Sequence, residues 1–235
     1  MIQNPNQPAT PSQLGVRPTA ALSAGFLSQS FAWMFVGLLL TGAVAWVVQG
    51  SPTLVNVATQ WYLPVVIGQF MLVIAISGAI KKLSATAALG LFLVYAATMG
   101  VTLSLIFIVY ELGDIAAAFV SAAGMFGAAA VYGAVTKRSL ASLGGYFFMA
   151  LIGLIIAMLV NTFLVQSSQF SLILSVVGVL LFVGLTAFHV QRIANGDLAV
   201  YTGSMEKGAV LGALSLYLDF INIFLFLLRI FGGRR

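Results

Sequence analysis

The sequence predicts an all-α integral membrane protein of seven transmembrane helices, with the C-terminal helix enclosed by the other six. Three observations carry that prediction. Of 235 residues, 61% are hydrophobic and only 6% are charged, with a mean hydropathy of +1.11, whereas about a quarter of the residues in a soluble domain are charged. Seven apolar runs of about 20 residues or more are long enough to cross a bilayer as helices. The last of them carries a stripe of small and polar residues on one face, the reverse of a soluble amphipathic helix and suited to close packing inside a membrane bundle.

Taken in chain order, residues 1–18 carry Pro5, Pro8, Pro11 and Pro18 among Asn, Gln, Ser and Thr, a composition expected to stay disordered. The stretch lacks the basic start and short apolar core of a secretory signal, so the first apolar run is expected to be retained. The expected division is a disordered cytoplasmic tail over 1–20 and one transmembrane domain over 21–235. The runs fall at 21–48, 61–80, 84–110, 115–136, 142–165, 170–190 and 208–231. The first and third run long, which implies tilt or interfacial ends. Glycine and alanine in 124–130 read as close helix packing. The connecting loops are short and leave no room for a second domain.

Orientation follows from Lys and Arg in short loops. Arg17, the pair Lys81 and Lys82, the pair Lys137 and Arg138, and Arg192 with Lys207 fall on one side of a seven-span layout. The other side has the acidic turn Glu111-Leu-Gly-Asp114, two uncharged loops and the terminal Arg229, Arg234 and Arg235. Seven of the ten basic residues therefore predict a cytoplasmic amino terminus. The net charge of +5 does not point to nucleic acid, because the basic residues sit in pairs at the ends of apolar runs rather than massed on one face.

The chemistry concentrates in the last two runs. Asp219 lies inside the apolar seventh run, where a carboxylate costs roughly 2.5 to 3.5 kcal/mol to insert and so marks an ion or proton pathway. Gly208, Gly212, Ser215, Asp219, Asn222 and Arg229 stand at offsets of 4, 7, 11, 14 and 21 from the first, one helix face. The sixth run offers a matching face in Ser171, Ser175, Gly178, Phe182, Thr186 and His189, the only histidine in the chain. Rise along the helices alone would separate His189 from Asp219 by roughly 10 to 15 Å in depth. Asn222, Ser215, Asn161 and Gln69 read as pore-lining or packing residues, and packing is the commoner role of a polar residue in a membrane bundle.

The stretch Ala213-Leu-Ser-Leu-Tyr-Leu-Asp-Phe-Ile-Asn-Ile-Phe-Leu-Phe-Leu-Leu-Arg-Ile-Phe-Gly232 closely resembles the carboxy-terminal signature of the Bax inhibitor-1 family, the transmembrane Bax inhibitor motif family, in its bacterial members. Gly124-Met-Phe-Gly127, Thr136-Lys-Arg-Ser-Leu140, Leu151-Ile-Gly-Leu-Ile-Ile-Ala-Met-Leu-Val-Asn161 and Leu185-Thr-Ala-Phe-His-Val-Gln-Arg-Ile193 extend the likeness over all but the tail. The resemblance implies a last helix wrapped by the other six and a pH-gated calcium leak, whose gate is a pair of aspartates late in helix six and in helix seven. Here the helix-seven position is Asp219 and the helix-six position is His189, a mixed pair. An imidazole in place of a carboxylate removes charge and a hard oxygen donor, which weakens Asp219 as a calcium site. A free imidazole titrates at about 6.5, so the pair can still respond to pH. The resemblance also implies a basic partner for the gate at the end of helix two, a position held by Lys81; a plain topology anchor explains that lysine equally well.

The resulting expectation is a pH-responsive calcium or cation leak channel of a bacterial inner membrane, with Asp219, His189 and Lys81 as gating residues. No cofactor is expected; calcium enters as the permeant ion. An enzyme is not expected, since a metal-dependent intramembrane hydrolase needs several His or acidic ligands and only Asp219 lies within an apolar span. The competing expectation is an interaction protein that modulates a membrane-anchored AAA protease or a stress response without conducting ions. Membrane lipid is the partner common to both.

Overall fold

The computed structural model describes residues 20–232. The expected tail up to residue 19, with Arg17, and also Arg234 and Arg235 lie outside the described residues. Seven helices are long and apolar enough to span a membrane: Ala24–Gln49, Tyr62–Ala79, Ala85–Val109, Leu112–Val135, Ala141–Val165, Ser168–Ala194 and Met205–Phe231. They match the seven runs read from the sequence, and the protein is an integral membrane protein.

In chain order the helices are α1 (Ala20–Gln49), α2 (Pro52–Gln60), α3 (Tyr62–Ala79), α4 (Ala85–Ser104), α5 (Ile106–Val109), α6 (Leu112–Val135), α7 (Gly144–Val160), α8 (Ser168–Ala194), α9 (Asp197–Thr202) and α10 (Met205–Phe231). Ser84, Ser167 and Ser204 cap α4, α8 and α10, each accepting a backbone N–H with its side-chain oxygen, the usual remedy for the unpaired donors of a first turn. Three features depart from a simple seven-run reading. Pro52 opens the short α2 inside what reads as a loop, a position where the missing N–H of proline is harmless. The third span breaks at Leu105 into α4 and α5. The fifth ends in a π-helical turn, Asn161–Val165, closed by Gln166 in the left-handed conformation at φ 51°.

The enclosure of the last helix is borne out. In α10, 72% of the spanning window is buried, against 11–50% in the other six spans. Its neighbours are chiefly α8, α1, α6 and the short α9, with α4 contributing less, while α3 packs mainly on α4 and α7 mainly on α8. Small residues set the close approaches. A Cβ at Gly100 would lie 2.6 Å from the Thr41 carbonyl oxygen, and one at Gly178 would run into the Phe226 ring. Gly133 abuts the Ala187 carbonyl of α8. The glycines of 124–130 are a correction to the sequence reading: Gly124 and Gly127 face open space, and Phe126, Ala129 and Ala130 supply the buried contacts of that segment.

A polar knot ties α1, α4 and α10. Thr41 Oγ1 donates to the Ala96 carbonyl at 2.8 Å, with the Gly37 carbonyl at 2.9 Å, and accepts from the Tyr217 hydroxyl at 2.6 Å. The Tyr217 ring stands edge-on to Phe92 and Tyr95, with centroids 5.6 and 5.8 Å apart, a favoured aromatic geometry. A second clamp is Gln191 of α8. Its Oε1 accepts from the Leu140 N–H at 2.7 Å and its Nε2 donates to the Arg138 carbonyl at 2.8 Å, fixing the loop between α6 and α7.

Candidate functional site

Helices α8 and α10 run antiparallel and meet at one hydrogen bond, between His189 Nδ1 and Asp219 Oδ2 at 2.7 Å. The depth mismatch expected from the sequence is removed by an overhang. A Cβ at Gly212 would lie 3.0 Å from Ile193 Cδ1, so the end of α8 is level with the second turn of α10. The first two turns of α10 project past α8 and are covered by α9, with Gly208 against Leu198 and Ala199. Helix α9 stands between Gly196 and Gly203, both left-handed at φ 76° and 69°, which lets the chain double back there. Helix α8 also continues to Ala194, a turn beyond the expected end. Both effects bring His189 down to Asp219.

Asp219 is 2% exposed and the His189 side chain 21%, so the histidine stands between the carboxylate and an open space. That space is a cavity of about 700 Å³ walled by α3, α4, α7, α8 and α10. Its polar lining is Gln69, Tyr95, His189, Arg192, Ser215, Asp219 and Asn222, and the remainder is apolar. Ser215 and Asn222 donate back to their own helix, to the Leu211 carbonyl at 3.0 Å and the Leu218 carbonyl at 2.7 Å. Gln69 Nε2 donates to Thr102 Oγ1 at 2.8 Å and bridges α3 to α4.

A second cavity of about 530 Å³ lies toward the C-terminal end of α10, lined by Thr59, Tyr62, Thr102, Tyr110 and Arg229 among others. Met99 and Leu225 line both cavities. These two apolar side chains therefore stand at the junction of two chambers strung along α10.

The other expected site residues lie elsewhere. The Lys81 ammonium sits over the Tyr201 ring, 4.4 Å from its centroid, and its carbonyl accepts from Lys207 Nζ at 3.0 Å. Among the described residues Lys81 forms no ion pair with Asp219, whose side-chain partner is His189. Asn161 staples the α7–α8 corner, donating to the Ser167 carbonyl at 3.2 Å and Ser171 Oγ at 2.8 Å while accepting from the Ser167 N–H at 3.1 Å. It is not part of the cavity wall. No group of three or more His, Cys, Asp or Glu stands together among the described residues. Outside the spans, burial pushes the Asp197 carboxyl above its ordinary range, and the Arg192 guanidinium pulls it part of the way back.

Met99, Leu225 and Tyr95 are among the lining residues that sequence reading did not single out, and Arg192 entered it only as a loop charge. The first three carry no signal that separates them from ordinary bundle packing. Arg192 does carry one: three residues after His189, it shares that residue's helix face.

A seven-span helical bundle built around a buried last helix, with one carboxylate of that helix bonded to a histidine of its neighbour, defines a polytopic membrane protein with a titratable pair in its interior. The chain belongs to the Bax inhibitor-1 family: the family model described as inhibitor of apoptosis-promoting Bax1 matches residues 23–235. It is 46% identical over 226 residues to the inner membrane protein YbhL of Escherichia coli strain K12, covering 94% of this chain and 96% of that protein. A protein of Deinococcus radiodurans is 42% identical over 210 residues, 89% of this chain and 90% of the other. One from Borreliella burgdorferi is 42% identical over 215 residues, 89% and 92%.

Proposed function

We propose that the protein is a pH-responsive cation leak of a bacterial inner membrane, gated by the His189–Asp219 pair. The observation that supports this most is the 2.7 Å bond between a buried carboxylate and a part-exposed imidazole on the wall of a large cavity. With the imidazole neutral the pair carries one negative charge and offers an attraction to a cation; with it protonated the pair is neutral and is held as an ion pair across α8 and α10. The chain's own chemistry then favours leak as pH rises through the pair's titration. Met99 and Leu225 form the apolar constriction between the two chambers, where a dry narrow passage opposes a hydrated ion. The ion is calcium or a monovalent cation. Calcium takes six to eight oxygen ligands, and a single carboxylate with one oxygen already bonded to an imidazole makes a weak station for it. The basic loops support an orientation with the end of α8 and the start of α10 toward the cytoplasm, and the inner membrane is inferred from the relative in Escherichia coli.

The test is cation efflux from proteoliposomes loaded with calcium or with potassium. Wild-type protein releases at least one of them above empty vesicles. Asp219→Asn lowers that leak, and Leu225→Ser raises it by wetting the constriction. Leak that is indifferent to both substitutions, or absent throughout, contradicts the proposal.

A further inference from the structure

The larger cavity opens sideways between α3 and α7. Helices α3 and α7 pack on different partners, and the cavity lies in the gap between them. Phe70 and Ile74 of α3 and Phe148 of α7 line it while being 63%, 63% and 64% exposed, so they face the cavity and the surrounding lipid at once. Its side toward α3 and α7 is lined by apolar side chains such as Phe70, Ile74, Phe148, Leu151 and Ile155, and hydrocarbon chains are the solvent at that mouth. Along α7 the lining runs from Gly144 to Met158, about 21 Å by helical rise, which exceeds half of a hydrocarbon core about 30 Å thick and leaves room for the glycerol end as well as the acyl chain of a single leaflet.

One end of the slot is charged. Arg192, one turn beyond His189, lines the cavity and holds its guanidinium over the Phe188 ring, 5.5 Å from the centroid. Phe188 packs on Phe147 with centroids 5.9 Å apart and also lines the slot. The guanidinium is therefore anchored where the slot reaches the end of α8, near the headgroup region. Arginine suits a phosphate through its planar fork of donors.

We infer that this slot is a binding site for one anionic phospholipid, with its phosphate on Arg192 and an acyl chain lying between α3 and α7 beside the His189–Asp219 pair. The inference does not depend on ion conduction. A chain in the slot occupies the space between the pair and the Met99–Leu225 constriction, so the lipid also acts as a plug. Asp197 competes for the same guanidinium, which keeps the headgroup preference modest, about fivefold for one cation near the membrane surface.

The experiment is native mass spectrometry of the full chain released from detergent after incubation with equal amounts of phosphatidylglycerol and phosphatidylcholine of matched chains. Wild type retains one lipid with about fivefold preference for phosphatidylglycerol. Arg192→Gln brings the two lipids to parity, and Arg192→Lys keeps most of the preference. Leu151→Trp, which fills the slot, reduces retention of both lipids while the protein stays monodisperse. Parity in wild type, a preference that survives Arg192→Gln, no effect of Leu151→Trp, or equally good displacement by glycerol phosphate would overturn the assignment.

Discussion

Asp219 and His189 meet because each is held by its own helix at the right depth, and the two residues differ in how legible they were. A carboxylate in an apolar run announces itself by its insertion cost. A lone histidine near a helix end does not, and rise alone placed it too far from Asp219; the resemblance to an aspartate pair, not the spacing, joined them. Tyr217 went unremarked because an aromatic in a membrane helix is ordinary, yet its ring and hydroxyl join three helices. The two parts of that side chain contribute unequally. An interhelical hydrogen bond in a membrane averages about 0.6 kcal/mol, and each edge-to-face aromatic pair adds roughly 0.5 to 1.5. Tyr217→Phe should therefore lower the melting temperature in detergent only slightly, while Tyr217→Leu lowers it clearly more. Equal losses in the two variants would show that the hydroxyl, not the ring, carries the knot.

Helices as units were the most legible level, since all seven spans were present as runs of apolar residues. The short elements were not. Helix α9 decides the register between α8 and α10, but its six residues leave no room for a periodic signal, and its defining feature is a pair of left-handed glycines. Contact between helices was legible only in part. A glycine in a membrane helix signals close approach on average, yet Gly124 faces open space and Gly133 meets the Ala187 carbonyl; no local pattern distinguishes them. Gly133→Ala is expected to force α6 off α8 and destabilise the protein by about 1 to 3 kcal/mol, the usual scale of overpacking. Gly124→Ala should be neutral or mildly stabilising through helix propensity. Thermal melts of the two variants in the same detergent check the contrast, and a reversed order would count against the α6–α8 contact. Gln191→Ala should strand the Leu140 N–H in the loop between α6 and α7, at about 1 to 3 kcal/mol, and limited proteolysis would then cut near residues 136–140.

At the scale of the whole molecule, two cavities lie along one enclosed helix, with His189 and Asp219 on the wall of one and Met99 and Leu225 lining both, and the proposed leak would run through them. Charge bookkeeping on the pair sets the direction of its response: a proton added to His189 cancels the charge of Asp219 and converts a hydrogen bond into an ion pair. The measurement that tests this most directly is cation leak from proteoliposomes between about pH 5.5 and 8. Wild type, Asp219→Asn and His189→Asp should be compared at equal reconstitution. Gating by the pair predicts a wild-type leak that rises with pH, a flat and reduced profile for Asp219→Asn, and a shifted profile with greater calcium preference for His189→Asp. A wild-type leak that does not change with pH, or one whose pH profile Asp219→Asn leaves intact, would contradict the claim that the pair is the gate.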